Sequence, residues 1–435
     1  MRKNFLTAVV ATENGNIFDL DGYAALGVSG DTPYILKKNE TVPLPHGSEL
    51  MLLPYRRPLV FSLAENRFEI LEQNPYEPGE KIFPVAVFNS PGYVNRYSAA
   101  YDDEEPNIPL PLFSYGAIGF AKNGFYSSAL LVDSEPRQDL RHMPRKKIIK
   151  GVKEMQKKYP GNRLIRHLEN CALQYGCPAG KNFFLKRYEA PLPTSTTCNA
   201  QCLGCISLQT ENNLSACQER IKFTPGPEEI AELSLEHINK VKQAVVSFGQ
   251  GCEGEPLIAF KSIKPAIRLI REKTDKGTIN LNTNASMPEK VESLCLAGLD
   301  SMRVSMNSVR ENCYNAYFRP VSYKFANVLE SIRIAKSLGK FVSVNYLNCP
   351  GFTDSQKESL ALFDFIQNFG IDMIQWRNLN FDPRHYFRLM KAVEDPGQPR
   401  GMGNLIKELS QRFPKLRHGY FNPAQSLLKN ELRSQ

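Results

Sequence analysis

Residues 194–210 read TSTTCNAQCLGCISLQT, and this stretch decides how the rest of the chain is interpreted. Cys198, Cys202 and Cys205 follow one another there at C-x3-C-x2-C spacing, and no fourth cysteine continues the series at a matching interval. Thiolates are the ligands of iron–sulfur clusters, usually four to a cluster, and of zinc. Three closely spaced thiols therefore predict a metal centre with one coordination position left for another ligand, as in catalytic metal sites.

The sequence beyond the cysteine stretch repeats one unit: a short apolar strand, a polar loop and an amphipathic helix. The strand candidates are QAVVSF, TINLNT, SMRVSM, FVSVNYL and DMIQW, which end near residues 248, 283, 306, 347 and 376. With a further strand between Phe183 and Pro193, this alternation predicts parallel strands connected by helices. We therefore expect an α/β fold whose core, residues 185–385, is a partial, TIM-like (β/α)6 barrel.

The predicted helices carry their own start and stop signals. A capping box is predicted at residues 286–289, ahead of the helix PEKVESLCLA, and Gly298 is placed to end that helix. In a later helix Val328, Ile332 and Ala335 recur at the spacing of a buried face. The polar ends of the parallel strands are expected to meet at one mouth of the barrel.

These features together resemble the radical S-adenosylmethionine (radical SAM) superfamily. The C-x3-C-x2-C motif after a first strand is similar to that superfamily's cluster motif, and EGEP at 253–256 and TNAS at 283–286 are similar to its G-G-E-P and T-N-G loops. Two positions depart from the pattern. Glu253 replaces the first glycine, and Gly204 stands where the superfamily often has an aromatic residue near the adenine.

The resemblance implies an enzyme with oxidoreductase- or transferase-like chemistry. Cys198, Cys202 and Cys205 would hold one [4Fe-4S] cluster, whose open iron binds the amino and carboxylate groups of S-adenosylmethionine. Reductive cleavage of that molecule would give a 5′-deoxyadenosyl radical that abstracts hydrogen from a substrate. A low-potential electron donor such as flavodoxin or ferredoxin is the implied partner.

The resemblance also assigns further residues at the strand ends. The implied cofactor-binding residues are Gly254, Glu255, Pro256, Asn284, Ser305, Asn307, Asn345 and Asn378. Cys252 is a candidate catalytic thiol or hydrogen donor, with small core filler as the alternative. Four residues fit either an anionic substrate site or plain packing: Arg303, Tyr314, Tyr317 and Arg319.

The remaining cysteines predict one cluster only. Cys171 and Cys177 are interpreted as structural thiols rather than ligands, and Cys295 as core. The alternative from another class is a non-catalytic binding module stabilised by zinc, in which Cys217, twelve residues after Cys205, supplies a fourth thiolate.

Three further segments flank the core. Residues 1–140 contain short β-type runs such as FLTAVV and IFPVAVF between turn signals, which predicts a β-rich N-terminal domain. Residues 141–184 predict a basic helical connector, with ten Lys or Arg residues and one acidic residue between Arg141 and Arg166. Residues 386–435 form a C-terminal extension.

The composition bounds the class of protein and leaves its substrate open. Across 435 residues, 42% hydrophobic and 23% charged content predicts a globular chain that buries a sizeable core, which excludes disorder as the default. Without an apolar run of eighteen or more residues no membrane span is expected, and unpaired cysteines favour a cytoplasmic location. A protein or peptide substrate is favoured, because the β-rich domain can dock a partner. RNA modification is the alternative suggested by the basic connector.

Overall fold

The structure is a computed structural model that describes residues 4–103, 108–122, 124–209 and 214–432. The first three residues, the acidic stretch 104–107, Thr210 and the end of the C-terminal extension lie outside the described residues. Within the described part no helix is long and apolar enough to cross a bilayer.

The N-terminal part of the described chain consists of short strands. They are β1 (Thr7–Thr12), β2 (Ile17–Ala24), β3 (Leu26–Ser29), β4 (Thr32–Ile35), β5 (Val42–Pro43), β6 (Glu49–Leu52), β7 (Arg56–Ser62), β8 (Arg67–Ile70), β9 (Ile82–Phe88), β10 (Tyr93–Asn95), β11 (Ser98–Ala99), β12 (Tyr101–Asp103), β13 (Ile118–Ala121), β14 (Gly124–Ser127) and β15 (Ala129–Leu131). In β7, buried and half-buried residues alternate, as expected of a strand with one covered face.

These strands pair in antiparallel fashion. The largest sheet runs β12-β7-β2-β1-β13-β14-β5, with β8 on β7, and with β9 joining β1 to β6. Separate small sheets pair β10 with β15 and run β11-β3-β4. A short 3-10 turn, Lys38–Glu40, lies between β4 and β5. Two more follow β15, at Pro136–Gln138 and Leu140–His142.

Three helices form the basic connector: α1 (Arg145–Lys158), α2 (Arg163–Leu173) and α3 (Pro178–Phe184). The α1 helix buries Ile148, Val152 and Met155 and leaves its lysines exposed. The basic run is thus the outer face of a helix whose apolar face belongs to the main core.

A parallel sheet forms the rest of the molecule. Its strands are β16 (Glu189–Pro191), β17 (Val245–Phe248), β18 (Thr278–Thr283), β19 (Ser301–Met306), β20 (Phe341–Asn348), β21 (Met373–Asn378) and β22 (Arg417–Gly419), in that spatial order. Its helices are α4 (Pro227–Lys240), α5 (Phe260–Lys273), α6 (Pro288–Ala297), α7 (Glu311–Phe318), α8 (Phe325–Ser337), α9 (Gln356–Phe369), α10 (Pro383–Val393), α11 (Met402–Arg412) and α12 (Gln425–Leu432), with a 3-10 turn at Pro256–Ala259.

The observed sheet corrects the predicted strand count. The described residues contain seven parallel strands rather than six, because Arg417–Gly419 in the C-terminal extension pairs with β21. The sheet curls back on itself, since the amide of Asn422, just after β22, donates to Glu189 Oε1 of β16 at 2.8 Å. The first strand falls within the expected segment, but Phe183 belongs to α3.

The helix signals had mixed outcomes. The predicted capping box was wrong: α6 begins after Met287 without a side-chain cap, and the Ser286 hydroxyl instead accepts from Asn199. Gly298 ends α6 in the left-handed conformation, φ 117°, as expected. The predicted stripe in α8 is confirmed, because Val328, Ile332 and Ala335 are all buried.

The N-terminal strands dock on the carboxyl ends of β20 and β21. Asn378 Oδ1 accepts from the Asn95 backbone N–H at 2.8 Å, and its amide donates to the Tyr93 carbonyl at 3.0 Å. The Asn348 amide donates to the Asn95 carbonyl at 2.8 Å. The strands thus cover one side of the mouth where barrel sites are built.

Candidate metal and cofactor site

The three motif cysteines lie in the loop that follows β16. All three are half-buried. The loop is anchored by the end of α7: Gln201 N–H donates to the Phe318 carbonyl at 3.0 Å, and Leu203 N–H to the Tyr317 carbonyl at 3.1 Å. These backbone hydrogen bonds hold the cysteine loop in one conformation although it has no regular secondary structure.

The loop after β17 lies directly against the cysteine loop. Gly254 N–H donates to the Ser195 carbonyl at 2.7 Å, and Glu255 N–H to the Thr197 carbonyl at 2.9 Å. A Cβ atom at Gly254 would lie 1.9 Å from the Thr197 oxygen. Only glycine allows this approach, which explains the residue at this position.

Glu253 organises the same junction. Its buried carboxylate accepts hydrogen bonds from the backbone N–H groups of four residues and from one hydroxyl: Thr194 N at 2.7 Å, Ser195 N at 3.0 Å, Gly249 N at 2.8 Å, Gln250 N at 2.7 Å and Thr194 Oγ1 at 3.0 Å. Burial raises the pKa of Glu253, and these donors oppose the increase. The sequence showed this residue only as a departure from G-G-E-P, so its scaffolding role was missed.

Glu255 connects the loops after β17 and β18. Its Oε2 accepts from the Asn284 N–H at 2.8 Å, and its Oε1 accepts from Leu257 N–H at 3.1 Å and from the Thr283 hydroxyl. Burial raises the pKa of this carboxyl to about 7. A carboxylate has about four lone-pair positions, so one remains for a ligand's ammonium group.

The surroundings of Cys198 and Cys202 raise the pKa values of their thiols. Burial, followed by the nearby Glu255 carboxylate, raises the pKa of Cys198 to about 11. Burial, and then Cys198 and Cys205, raises the pKa of Cys202. A metal that binds Cys198 and Cys202 would therefore have to displace their protons.

Several predicted residues reach this junction and others do not. The Asn284 amide donates to Asn199 Oδ1 of the cysteine loop at 2.8 Å, which brings the loop after β18 to the site. Among the described residues, no hydrogen bond joins the cysteine loop to the other four strand-end predictions: Ser305, Asn307, Asn345 and Asn378.

Gly204 is packed against side chains from two other elements. A Cβ atom there would lie 2.7 Å from the Tyr317 hydroxyl and 3.3 Å from Asn380 Oδ1, and the Asn380 amide donates to the Gly204 carbonyl at 3.1 Å. An aromatic ring thus lies beside this position although the residue itself has none. Asn380 carried no sequence signal, because its relevance arises only from folding.

Arg220 is a second residue that sequence reasoning missed. Its Nη2 lies 3.8 Å from Cys205 Sγ, and its Nε donates to the Ser207 hydroxyl at 3.3 Å. Its guanidinium therefore lies beside one thiol of the cysteine loop.

Cys252 lies beside helix α2 of the connector. Its buried thiol lies 3.3 Å from His167 Nε2 of α2, on the side of the loop that meets the connector. Its assignment as a catalytic thiol stays a prediction.

The cysteine loop fits a four-iron cluster better than a single ion. With Zn–S bonds of about 2.3 Å, two sulfurs of a tetrahedral zinc site lie about 3.8 Å apart. Within the described chain, one group of three His, Cys or acidic residues has all its ligand atoms within 4.8 Å of one another. Four cysteines do not belong to this group: Cys198, Cys202, Cys205 and Cys217. The thiolates of a four-iron cluster bind different irons, so a cluster does not require such a compact ligand set.

Cys217 does not complete a fourth corner. It is exposed, and its thiol donates to the Leu112 carbonyl at 3.7 Å. The four-cysteine zinc alternative therefore has no compact ligand set among the residues that the structure describes.

Comparison with known proteins gives one family match. Residues 192–363 match the model of the family described as the radical SAM superfamily. A search among curated proteins finds no match to the chain.

Similar solved structures include three of low identity. Native anSMEcpe with bound AdoMet has 14% identity and a TM-score of 0.35, covering 44% of this chain and 52% of that chain. Streptococcus suis SuiB bound to precursor peptide SuiA has 14% identity and a TM-score of 0.38, covering 62% and 55%. A radical SAM methyltransferase from Sphaerobacter thermophilus has 12% identity and a TM-score of 0.38, covering 54% and 67%.

The family match, rather than those structures, carries the assignment. TM-scores of this size do not define a shared fold, and the chain spans about half the length of the first of these solved structures. Residues 192–363, less than half of the chain, are similar to the radical SAM superfamily through that family model. A region of this superfamily implies an enzyme whose cofactors are a [4Fe-4S] cluster and S-adenosylmethionine.

Proposed function

We propose that Cys198, Cys202 and Cys205 bind one [4Fe-4S] cluster with an iron left for S-adenosylmethionine, and that the enzyme takes hydrogen from a peptide or protein. The observation that carries this proposal is the junction in which Gly254 and Glu255 lie against the cysteine loop. When reduced by a donor such as flavodoxin or ferredoxin, the cluster and S-adenosylmethionine supply a carbon-centred radical for hydrogen abstraction.

The chain's own residues position these cofactors. Glu255 keeps a lone pair for the ammonium group, and Pro256 begins the turn that fixes that carboxylate. Asn307 Oδ1 and Asn345 Oδ1 are buried without a hydrogen-bond partner among the described residues, as expected of acceptors reserved for a ligand. Ser305, two residues before Asn307, lies on β19 directly opposite Asn345 of β20.

Tyr317 replaces the aromatic residue absent at Gly204. Its ring is buried beside Cys202 and Cys205, and burial, followed by those two thiols, raises its pKa. We infer that this tyrosine provides the apolar contact for the adenine. Asn378, in contrast, uses its amide on the N-terminal strands, so a cofactor contact there requires that interface to open.

Arg303 supports an anionic group on the substrate. It lies inside the barrel on β19 and donates to Gln375 Oε1 at 3.1 Å, while its Nε has no partner among the described residues. Burial, and then the neighbouring Arg377, lowers the pKa of Arg303 to about 9. A substrate carboxylate would pair with the Arg303 guanidinium and so offset both its burial and its repulsion from Arg377. Peptides carry such carboxylates.

The flanking segments have proposed roles as well. Residues 1–140 form the part that shapes the mouth and contacts the substrate, 141–184 connect it to the core at 185–385, and 386–435 complete the sheet. A cytoplasmic location stays a prediction.

RNA modification is supported less well. Of the ten basic residues between Arg141 and Arg166, four already form ion pairs with acidic side chains: Arg141, Lys150, Lys158 and Arg163. These pairs reduce the positive charge that phosphates would meet.

The test compares anaerobically reconstituted enzyme with an Arg303→Gln variant. Both are expected to form 5′-deoxyadenosine from S-adenosylmethionine and dithionite. The variant should lose modification of cellular peptides, measured by mass spectrometry, because a charge-assisted hydrogen bond of about 1.5–3 kcal/mol corresponds to about 10- to 100-fold in KM.

Arg333→Gln, an exposed residue paired with Glu330, is the matched control and should behave as wild type. If the substrate signal appears in RNA and not in peptides, the peptide proposal is wrong. If no 5′-deoxyadenosine forms in the wild type, the proposed chemistry itself is wrong.

A further inference from the structure

A second group of metal-ligating side chains lies outside the cluster loop. His167 Nε2 lies 3.3 Å from Cys252 Sγ and 3.5 Å from Cys171 Sγ, and all three atoms fall within 4.8 Å of one another. Across the described ranges this is the one such trio.

The trio is assembled from two distant elements. His167 and Cys171 are four residues apart on α2 and therefore share one helix face. Cys252 comes from the loop after β17, 85 residues beyond His167. Cys171 and Cys252 are both buried. The ligands are thus brought together by packing of the connector against the core.

The distances match a single tetrahedral ion. Zn–S bonds of about 2.3 Å and Zn–N bonds of about 2.0 Å place a sulfur and a nitrogen about 3.5 Å apart. The two observed sulfur–nitrogen separations are 3.3 and 3.5 Å. We propose that His167, Cys171 and Cys252 bind one Zn²⁺ ion, separate from the iron–sulfur cluster.

The ligand chemistry selects this class of metal. Two thiolates and an imidazole suit zinc, whereas calcium and magnesium require oxygen ligands. A cluster would spread its thiolates over several irons, which this compact group does not allow. A disulfide needs a sulfur–sulfur bond of about 2.05 Å, and it would leave the imidazole without a role.

Cys177 is the candidate for the fourth ligand. It follows Cys171 by six residues, its backbone N–H donates to the Cys171 carbonyl at 2.9 Å, and its side chain is half-buried. Its thiol lies outside the 4.8 Å trio, so it would reach the ion only after a local side-chain adjustment. Closed coordination by four protein ligands is typical of structural zinc.

The ion would have a structural consequence for the active site. Cys252 directly precedes Glu253, Gly254 and Glu255, which hold the cysteine loop. Zinc would fix that loop to α2, so that connector and core form one support for the cofactors.

The test measures zinc in the full chain when the cluster ligands are removed. The Cys198→Ala/Cys202→Ala/Cys205→Ala variant, purified without added metal, should contain one zinc per chain by plasma mass spectrometry. After zinc removal it should bind one Co²⁺ with thiolate-to-cobalt absorption in the near ultraviolet. The zinc and cobalt measurements use a variant that keeps His167, Cys171 and Cys252. They therefore do not require that a chain lacking these three ligands folds.

Adding Cys171→Ser and Cys252→Ser to that variant should abolish the cobalt spectrum. His167→Ala should weaken zinc by more than the about 10- to 100-fold typical of outer-shell changes. Cys295→Ser, at a buried thiol in α6, is the matched control and should keep the metal. The proposal would be overturned if the protein bound neither zinc nor cobalt stoichiometrically, or if it held iron with sulfide in their place. It would also be overturned by a mapped Cys171–Cys252 disulfide, or by zinc that is retained after both serine changes.

Discussion

The two cysteine-containing groups differ in how far apart their residues are along the chain and how close together they lie in the fold. Cys198, Cys202 and Cys205 are close together in the chain, but their sulfurs do not all lie within 4.8 Å of one another. His167 and Cys252 are 85 residues apart in the chain and in contact in space. Local spacing therefore indicates a candidate cluster loop, whereas a candidate site built from packed elements becomes visible only after folding.

The largest expected effect separates the two sites by their metals. Cys202→Ala should remove nearly all iron and sulfide and abolish 5′-deoxyadenosine formation, because three thiolates are the minimum that holds the cluster. Zinc should remain at one per chain. Iron, sulfide and zinc analysis of anaerobically purified protein checks this.

Cys217→Ser serves as the control for that comparison, because this exposed thiol lies outside the C-x3-C-x2-C motif and donates to the Leu112 carbonyl. It should retain both metals. Loss of iron from Cys217→Ser would contradict the assignment of the cluster ligands.

A smaller effect tests the junction that connects the two sites. Gly254→Ala should destabilise the protein by about 3 kcal/mol, the upper end of overpacking costs, because the new Cβ would lie 1.9 Å from the Thr197 carbonyl oxygen. Urea unfolding of the metal-free chain measures the change.

Gly161→Ala is its matched control, since a Cβ there would meet no atom within 4 Å. That change should be neutral, or stabilising by about 0.4–1 kcal/mol. Equal destabilisation by the two substitutions would show that the junction is not tightly packed.

The smallest effect contrasts His167 with a buried histidine that has no cysteine partner. His237 Nε2 lies 3.2 Å from the Tyr188 carbonyl, and burial lowers its pKa to about 4. Below the ordinary pKa of about 6.5 the unfolded state binds the extra proton, so stability falls with decreasing pH between about 6.5 and 4, by at most about 1.4 kcal/mol per pH unit.

His237→Gln should reduce that slope and leave zinc unchanged. Urea unfolding at pH 5 and pH 7, together with zinc analysis, checks both parts. An unaltered slope would assign the acid sensitivity to another group, and loss of zinc would weaken the distinction between the two histidines.

Much of the core was predictable because its signals are local. Strands such as Thr278–Thr283 and Ser301–Met306 are short apolar runs between helices, and Gly298 ends its helix by a backbone preference that the sequence displays. The cysteine motif belongs to the same kind of signal. Its role as the cluster ligand set stays a prediction.

The features that escaped prediction depend on long-range packing. The strand Arg417–Gly419 is only three residues long and is defined by its pairing with β21. Glu253 appeared to be a simple departure from a motif until its backbone donors were known. Ser286 seemed to be a helix cap because the competing partner, Asn199, comes from another loop.

The interface made by Asn95, Asn348 and Asn378 also closes one flank of the core, because it holds the N-terminal strands on the carboxyl ends of β20 and β21. Any substrate of the proposed reaction therefore has to approach past other strand ends, and the N-terminal strands bound its path on this side.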